Sequence, residues 1–191
     1  MSTVLITPKS IIADCSRVTN LFPKETIFDP AHKKLFMSPD RDFIIGLVGT
    51  FNPHEVDTRE TYQMFKDLLA SALKELPKTK DWVISFTSKE NELKFKKLFG
   101  KENQFLIVTT SYRLMLLWSD NQDCFCGALG GDYLGLGSGG SFAMGFVLSQ
   151  KPTAHFWHKI HELDSLTAPY FTEIPLHKLK PFVVKDQEHE R

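Results

Sequence analysis

The stretch from residue 105 to residue 128 limits the fold more than any other part of this chain. Three apolar runs, FLIVT (105–109), YRLMLLW (112–118) and CFCGA (124–128), follow one another with only Ser111 and Asp120-Asn121 as turns between them. Gaps this short admit hairpins and leave no room for the crossover that parallel neighbours need. The segment therefore reads as an antiparallel meander. A strict alternation of strand and helix, the signature of a parallel sheet, is excluded at this point of the chain.

The remaining elements arrange themselves around that meander. VLI (4–6) and IIA (11–13) are strand-like runs on either side of Pro8-Lys9-Ser10, and a polar stretch follows to about Lys33. KLFM (34–37) and FIIGLV (43–48) flank the turn Ser38-Pro39-Asp40. Asp57-Thr58 can cap a helix whose apolar face is Tyr62, Phe65, Leu69, Ala72, Leu73 and Leu76, and Pro77 ends it. Residues 81–99 admit two readings: a strand WVISF followed by a short helix with Thr87 and Glu90 as capping box, or one longer helix. A helix from Ser141 closed by Pro152, a second helix over 153–166, and extended material at 171–174 and 182–184 complete the chain. The order is strands, two helices, strands, two helices, strand, which predicts an α+β fold of two antiparallel sheets with helices outside. With 191 residues, 42% of them hydrophobic, one domain over 1–184 is expected, and KDQEHER (185–191) forms a polar tail.

Residues 135–140, GLGSGG, match the spacing G-x-G-x-x-G and run into a helix-like segment. A dinucleotide fold places that motif between its first strand and first helix and follows it with a strand bearing an acidic residue. Here the corresponding region, 153–161, is a His-rich helix, and the Lys-Ser/Thr pair of a P-loop is absent. The glycines are better read as a tight turn with close packing at a helix start.

Composition removes several functions. Lys plus Arg and Asp plus Glu both number 23, so no basic surplus points to nucleic acid or an acidic membrane surface. Cys15, Cys124 and Cys126 do not make a disulfide framework, and neither a signal peptide nor a membrane span is visible, so a soluble cytoplasmic protein is expected. Cys124 and Cys126 on one strand face, with His155, His158 and His161, raise the thought of zinc. Three-residue steps drift around a helix and no compact C-x-x-C accompanies them, so no metal and no cofactor is expected.

Three segments in order carry a resemblance. STVLIT…IADCSRVT, KKLFMSPDRDFIIGLVGT and LGLGSGGSFAMGFVLS resemble the proteasome β-subunit and its bacterial relative, the HslV-type peptidase. The likeness runs from residue 1 to about 175. It implies the four-layer α-β-β-α sandwich of the N-terminal-nucleophile (Ntn) hydrolases. It also implies a mechanism in which an N-terminal Ser or Thr uses its own α-amine, with a pKa of roughly 7.7–8.0, as the base. By this resemblance Ser2, exposed when Met1 is removed, is the nucleophile, and Lys34 is the active-site lysine with Lys33 as neighbour and fallback. Asp14 is the acid that holds that lysine, and Gly46 supplies the oxyanion N–H. Asp164 and Thr167 support the amine, Ser138 and Gly139 lie in the turn beside the nucleophile, and Arg17 sits where the family often has arginine.

Two registers of the first hairpin stay open, because shortening by an even number of residues keeps every side chain on its face. In one, Ser2 and Asp14 take the nucleophile and acid positions and the site is active. In the other, Met1 and Cys15 take them and the chain is a catalytically silent subunit, acting as ring scaffold or interaction protein. A third reading is an amidohydrolase acting on a small amide. The resemblance further implies a peptide or unfolded-protein substrate, a homo-oligomeric ring and an ATP-driven unfoldase as partner, with neither nucleic acid nor membrane involved.

Overall fold

A computed structural model of the protein describes residues 3–18, 26–29, 32–49, 51–75, 89–98, 103–111, 113–118, 124–128, 133–147 and 153–183. Strands β1 (Thr3–Ile6) and β2 (Ser10–Asp14) form a hairpin in which Val4 opposes Ala13. Thr7 closes its turn: the Thr7 N–H donates to Ser10 O at 2.9 Å, and Thr7 Oγ1 accepts from the Ser10 N–H at 3.0 Å. β3 (Ser16–Val18) and β4 (Thr26–Phe28) pair as a small separate sheet. They fall in the stretch that reads as merely polar, since three-residue strands are too short to show a period.

β5 (Leu35–Met37) and β6 (Ile44–Val48) follow, then helices α1 (Pro53–Val56), α2 (Arg59–Glu75) and α3 (Lys89–Leu98). Thr58 caps α2 as its position suggests: its Oγ1 accepts from Thr61 N at 3.2 Å and its carbonyl from Tyr62 N at 3.0 Å. Of the ambiguous segment, 89–98 is helical, while 81–88, with Thr87 of the capping box, lie outside the described residues. The meander is present as β7 (Gln104–Val108), β8 (Arg113–Trp118) and β9 (Cys124–Ala128), each antiparallel to the next. β10 (Leu134–Gly137), α4 (Gly140–Val147), α5 (Ala154–Leu163) and β11 (Phe171–Pro175) complete the order, followed by a 3-10 turn over Leu176–Lys178. Of the extended segment expected at 182–184, residue 184 lies outside the described residues, and 182–183 belong to no described strand. Phe182 meets Phe43 edge-on at 6.4 Å.

The strands make a four-stranded sheet, β10-β1-β2-β11, and a five-stranded sheet, β5-β6-β7-β8-β9, both antiparallel throughout. Strand alternation distributes the core. Val4, Ile6, Ile11 and Ala13 point between the sheets and meet Ile44, Leu106 and Val108. Leu5 and Ile12, out of phase with these, meet Ala143, Val147, Phe156, Trp157 and Ile160 on α4 and α5. On the far side Ile45, Leu47, Phe105 and Ile107 meet Phe65, Leu69 and Phe95 of α2 and α3. The chain is thus α+β, two antiparallel sheets with helices flanking them. Both faces of β1 and β2 are covered, which is why their apolar runs are nearly continuous. Phe65, Phe95 and Phe105 pack with centroids 5.2–5.8 Å apart, each pair contributing about 0.5–1.5 kcal/mol beyond its burial.

Candidate active site

Thr3, at the described start of β1, is where five segments meet, although the sequence reading did not single it out. Its backbone N–H donates to Asp14 Oδ1 at 2.6 Å. The same oxygen accepts from Lys34 Nζ at 2.8 Å, and Asp14 Oδ2 accepts from the Ala168 N–H at 3.0 Å. Asp14 and Lys34 form an ion pair in which both side chains are 0% exposed. Burial pushes the Lys34 ammonium below its usual pKa, and the Asp14 charge opposes that shift without cancelling it. β2 ends at Asp14, opposite Phe171 of β11, and Lys34 immediately precedes β5, so the pair joins the ends of the two sheets.

On its other side Thr3 reaches the helices. Its Oγ1 lies 2.7 Å from Thr167 Oγ1 and accepts from the Gly139 N–H at 3.1 Å. Thr167 Oγ1 donates to Asp164 Oδ2 at 2.8 Å. The loop carrying Asp164 and Thr167 is held further by His161, whose Nδ1 donates to Thr167 O at 2.7 Å. Thus Asp14 and Lys34 flank the Thr3 backbone, while Gly139, Asp164 and Thr167 gather at its side chain.

The other residues singled out from the sequence are placed as follows. Ser2 lies outside the described residues, as does Met1. Cys15 is buried and its thiol is pushed above its usual pKa, chiefly by that burial, but it is Asp14 that holds Lys34. Ser138 Oγ is buried with no hydrogen-bond partner among the described residues. Lys33 is exposed and sits 4.0 Å from Asp57, away from this cluster. Arg17 lies in β3 opposite Ile27, and its side chain is not among those described. Gly46 is in the interior of β6, opposite Leu35 and Leu106. Because Leu47 N donates to Lys34 O at 2.9 Å, ladder alternation turns the Gly46 N–H towards β7, into the sheet. A Cβ there would stand 3.0 Å from Val4 Cγ1 and 3.2 Å from Ile11 Cδ1, so this glycine lets the two sheets approach.

The GLGSGG segment is in part a strand. Gly135 and Gly137 belong to β10, which pairs with β1 in the register Thr3↔Gly137, and Gly137 ends it with φ at 84°. A Cβ on Gly139 would fall 2.4 Å from both Thr3 Oγ1 and Thr167 Oγ1. Glycine is therefore the residue that lets the two hydroxyls meet. The signal that would have found Thr3 is strand alternation: it shares the face of Leu5, which looks to α4 and α5.

Among the described residues no group of three His, Cys, Asp or Glu side chains could hold a metal ion. No helix among them is long and apolar enough to cross a membrane. A separate cavity of about 430 Å3 opens beside the Ser38–Asp42 turn and α2. There Lys66 bridges Asp40 at 2.7 Å and Asp42 at 3.2 Å.

No family model and no curated protein matches the chain. Solved structures do. BPH from Thiobacillus denitrificans is 13% identical, with 91% of this chain and 96% of that chain covered and a TM-score of 0.50. The same protein in complex with epoxomicin gives 12% identity, 91% and 97% coverage and a TM-score of 0.48. Anbu, an ancestral beta-subunit, from Yersinia bercovieri gives 8% identity, 92% and 81% coverage and a TM-score of 0.44. At this identity the likeness to BPH is one of fold. The membership expected from the sequence, in the proteasome β-subunit and HslV-type peptidase family, is accordingly corrected: no family model matches, and the likeness to BPH, at 13% identity, is one of fold alone. The quoted glycines and β-branched runs are what the packed sheets demand of a chain, as Gly46 and Gly139 illustrate, and such residues do not identify a family.

The buried pair also has a pH signature. The folded pKa of Lys34 lies below that of the unfolded chain, about 10.4. Between the two values the unfolded chain binds more protons, so stability rises with pH through that window and falls as pH drops back through it. The urea midpoint of the wild type, measured relative to Lys34→Met, is expected to climb as pH approaches 10.4. A flat difference over that range would place the lysine in water instead.

Proposed function

We propose that this chain is an N-terminal-nucleophile hydrolase of peptide bonds, with an α-β-β-α sandwich of that class and Ser2 as the nucleophile once whatever precedes it is removed. The observation that carries this reading is the shared Asp14 oxygen. It accepts from both Lys34 Nζ and the Thr3 N–H, and the latter belongs to the peptide bond that joins Ser2 to Thr3. A buried ammonium is thereby tethered next to residue 2, where its charge favours a neutral α-amine.

The chemistry follows. Ser2 Oγ attacks the scissile carbonyl carbon while its proton passes to the Ser2 amine, directly or through water. The C–N bond breaks, the leaving amine takes that proton, and an ester to Ser2 remains. Water, deprotonated by the same amine, then cleaves the ester and releases the acid. The Ser138 hydroxyl, without a partner among the described residues, is one residue from the Gly139 that touches Thr3, which supports a role for it beside the amine.

The test combines intact mass with a peptide epoxyketone, a reagent that needs a hydroxyl and a free amine on one residue for its double addition. The expected outcome is a mature chain beginning at Ser2, a single adduct on that residue, and loss of adduct and of turnover of fluorogenic peptide amides in Ser2→Ala. A purified protein that retains Met1 and takes no adduct would mark the fold as catalytically silent and sink the reading.

A further inference from the structure

We infer that Thr3 is a positioning residue whose hydroxyl, through a one-way chain of hydrogen bonds to Asp164, sets the direction in which residue 2 meets its substrate. The inference rests on the proposed Ser2 mechanism and deepens it.

The direction of the chain follows from counting protons. The Asp164 carboxylate accepts, so the single hydroxyl proton of Thr167 is spent on it at 2.8 Å. Thr167 Oγ1 has no second proton to give, and the 2.7 Å contact to Thr3 is therefore donated by Thr3. Thr3 Oγ1 in turn accepts the Gly139 N–H at 3.1 Å. Every proton from Gly139 to Asp164 points the same way. Thr3 is 0% exposed and its hydroxyl proton is committed, which removes it as a nucleophile and leaves it as an anchor.

That anchor has three lines. The Thr3 N–H is fixed by Asp14 on β2, and its side chain by Thr167 on the loop before β11 and by Gly139 on the turn before α4. Three contacts on one residue fix the plane of the peptide bond through which residue 2 is attached. Gly139 is integral to the device, since any side chain there would fall 2.4 Å from both hydroxyls.

The decisive comparison is Thr3→Val, which keeps shape and loses the hydroxyl, against Thr3→Ser, which restores it. With fluorogenic peptide amides, kcat of Thr3→Val is expected to fall about 10- to 100-fold with KM within about threefold, the mark of a misaimed nucleophile. Thr3→Ser should recover most of that loss. Should Thr3→Val fail to fold, Gly139→Ala severs the same junction and must show the same split between kcat and KM. By NMR, a Thr3 hydroxyl proton protected from exchange should be visible in the wild type and lost in Thr167→Val, a readout that needs no turnover. Equal kcat for Thr3→Val and Thr3→Ser, or a hydroxyl that exchanges freely, overturns the relay. Activity surviving in Ser2→Ala, with the Thr3→Val loss intact, overturns the nucleophile assignment and leaves the relay standing. A wild type without turnover overturns the nucleophile assignment, and the protected hydroxyl proton, read by NMR, then decides the relay on its own.

Discussion

Replacing Asp14 with alanine is expected to lower the unfolding free energy by about 3–5 kcal/mol, the range for removing one partner of a buried ion pair. The loss has identifiable parts. Lys34, whose side chain is 0% exposed, loses its ion pair in an environment where burial already disfavours its charge. The N–H groups of Thr3 and Ala168 lose their common acceptor. Neutralisation of Lys34 limits the damage, since a lysine whose pKa is already lowered can release its proton rather than stay charged and unpaired. Asp14→Asn retains an acceptor oxygen and should lose less. Urea unfolding gives the answer as a drop in midpoint at unchanged slope. A loss under about 1 kcal/mol, the value of an exposed pair, would mean that water reaches the site.

Gly135→Ala is expected to cost about 3 kcal/mol, the upper end for overpacking a buried site. The added Cβ would lie 2.3 Å from Gly140 O and 2.9 Å from Gly140 C, both backbone atoms of the first turn of α4. A side chain can rotate away from such an overlap; a backbone cannot. Relief requires β10 and α4 to separate, which would also draw Gly139 away from Thr3. Gly140→Ala attacks the same contact from the other side, at 2.8 Å from Gly135 C, so the double variant should cost less than the sum of the single ones. Gly145→Ala is the control within α4. Nothing lies within 4 Å of its Cβ, and alanine in a helix interior is favoured over glycine by about 0.5–1 kcal/mol. Thermal unfolding of the variants side by side reads the difference. Equal midpoints for Gly135→Ala and Gly145→Ala would show that the β10–α4 contact is loose.

The legible parts of the fold were those with a long pattern or a capped end. The meander announces itself through three apolar runs with short gaps, and the helix after Thr58 through its apolar face and capping hydroxyl. β10 does not. Its glycines have weak strand preference, and it exists because β1 pairs with it and because Gly135 and Gly140 allow close approach. Of the site, the acidic and basic members stand out as residue types, while Thr3 looks like any β-branched residue in a strand. Gly46 shows how little a motif says about packing. Its donor role came from the resemblance alone, while its ladder position and the nearness of Val4 give it a packing reason.

By itself, the sequence determined local periods, caps and turns, and through them the order of elements and the α+β class with two antiparallel sheets. These depend on neighbours within a few residues, and a chain carries that information directly. Only the tertiary structure decided which groups meet. Asp14 and Lys34 are 20 residues apart and Thr3 and Thr167 are 164 apart in the chain, and each pair is joined by a buried contact. Such contacts follow from how two sheets stack and where a loop returns. Those are sums over many weak packing terms, and no short motif records them.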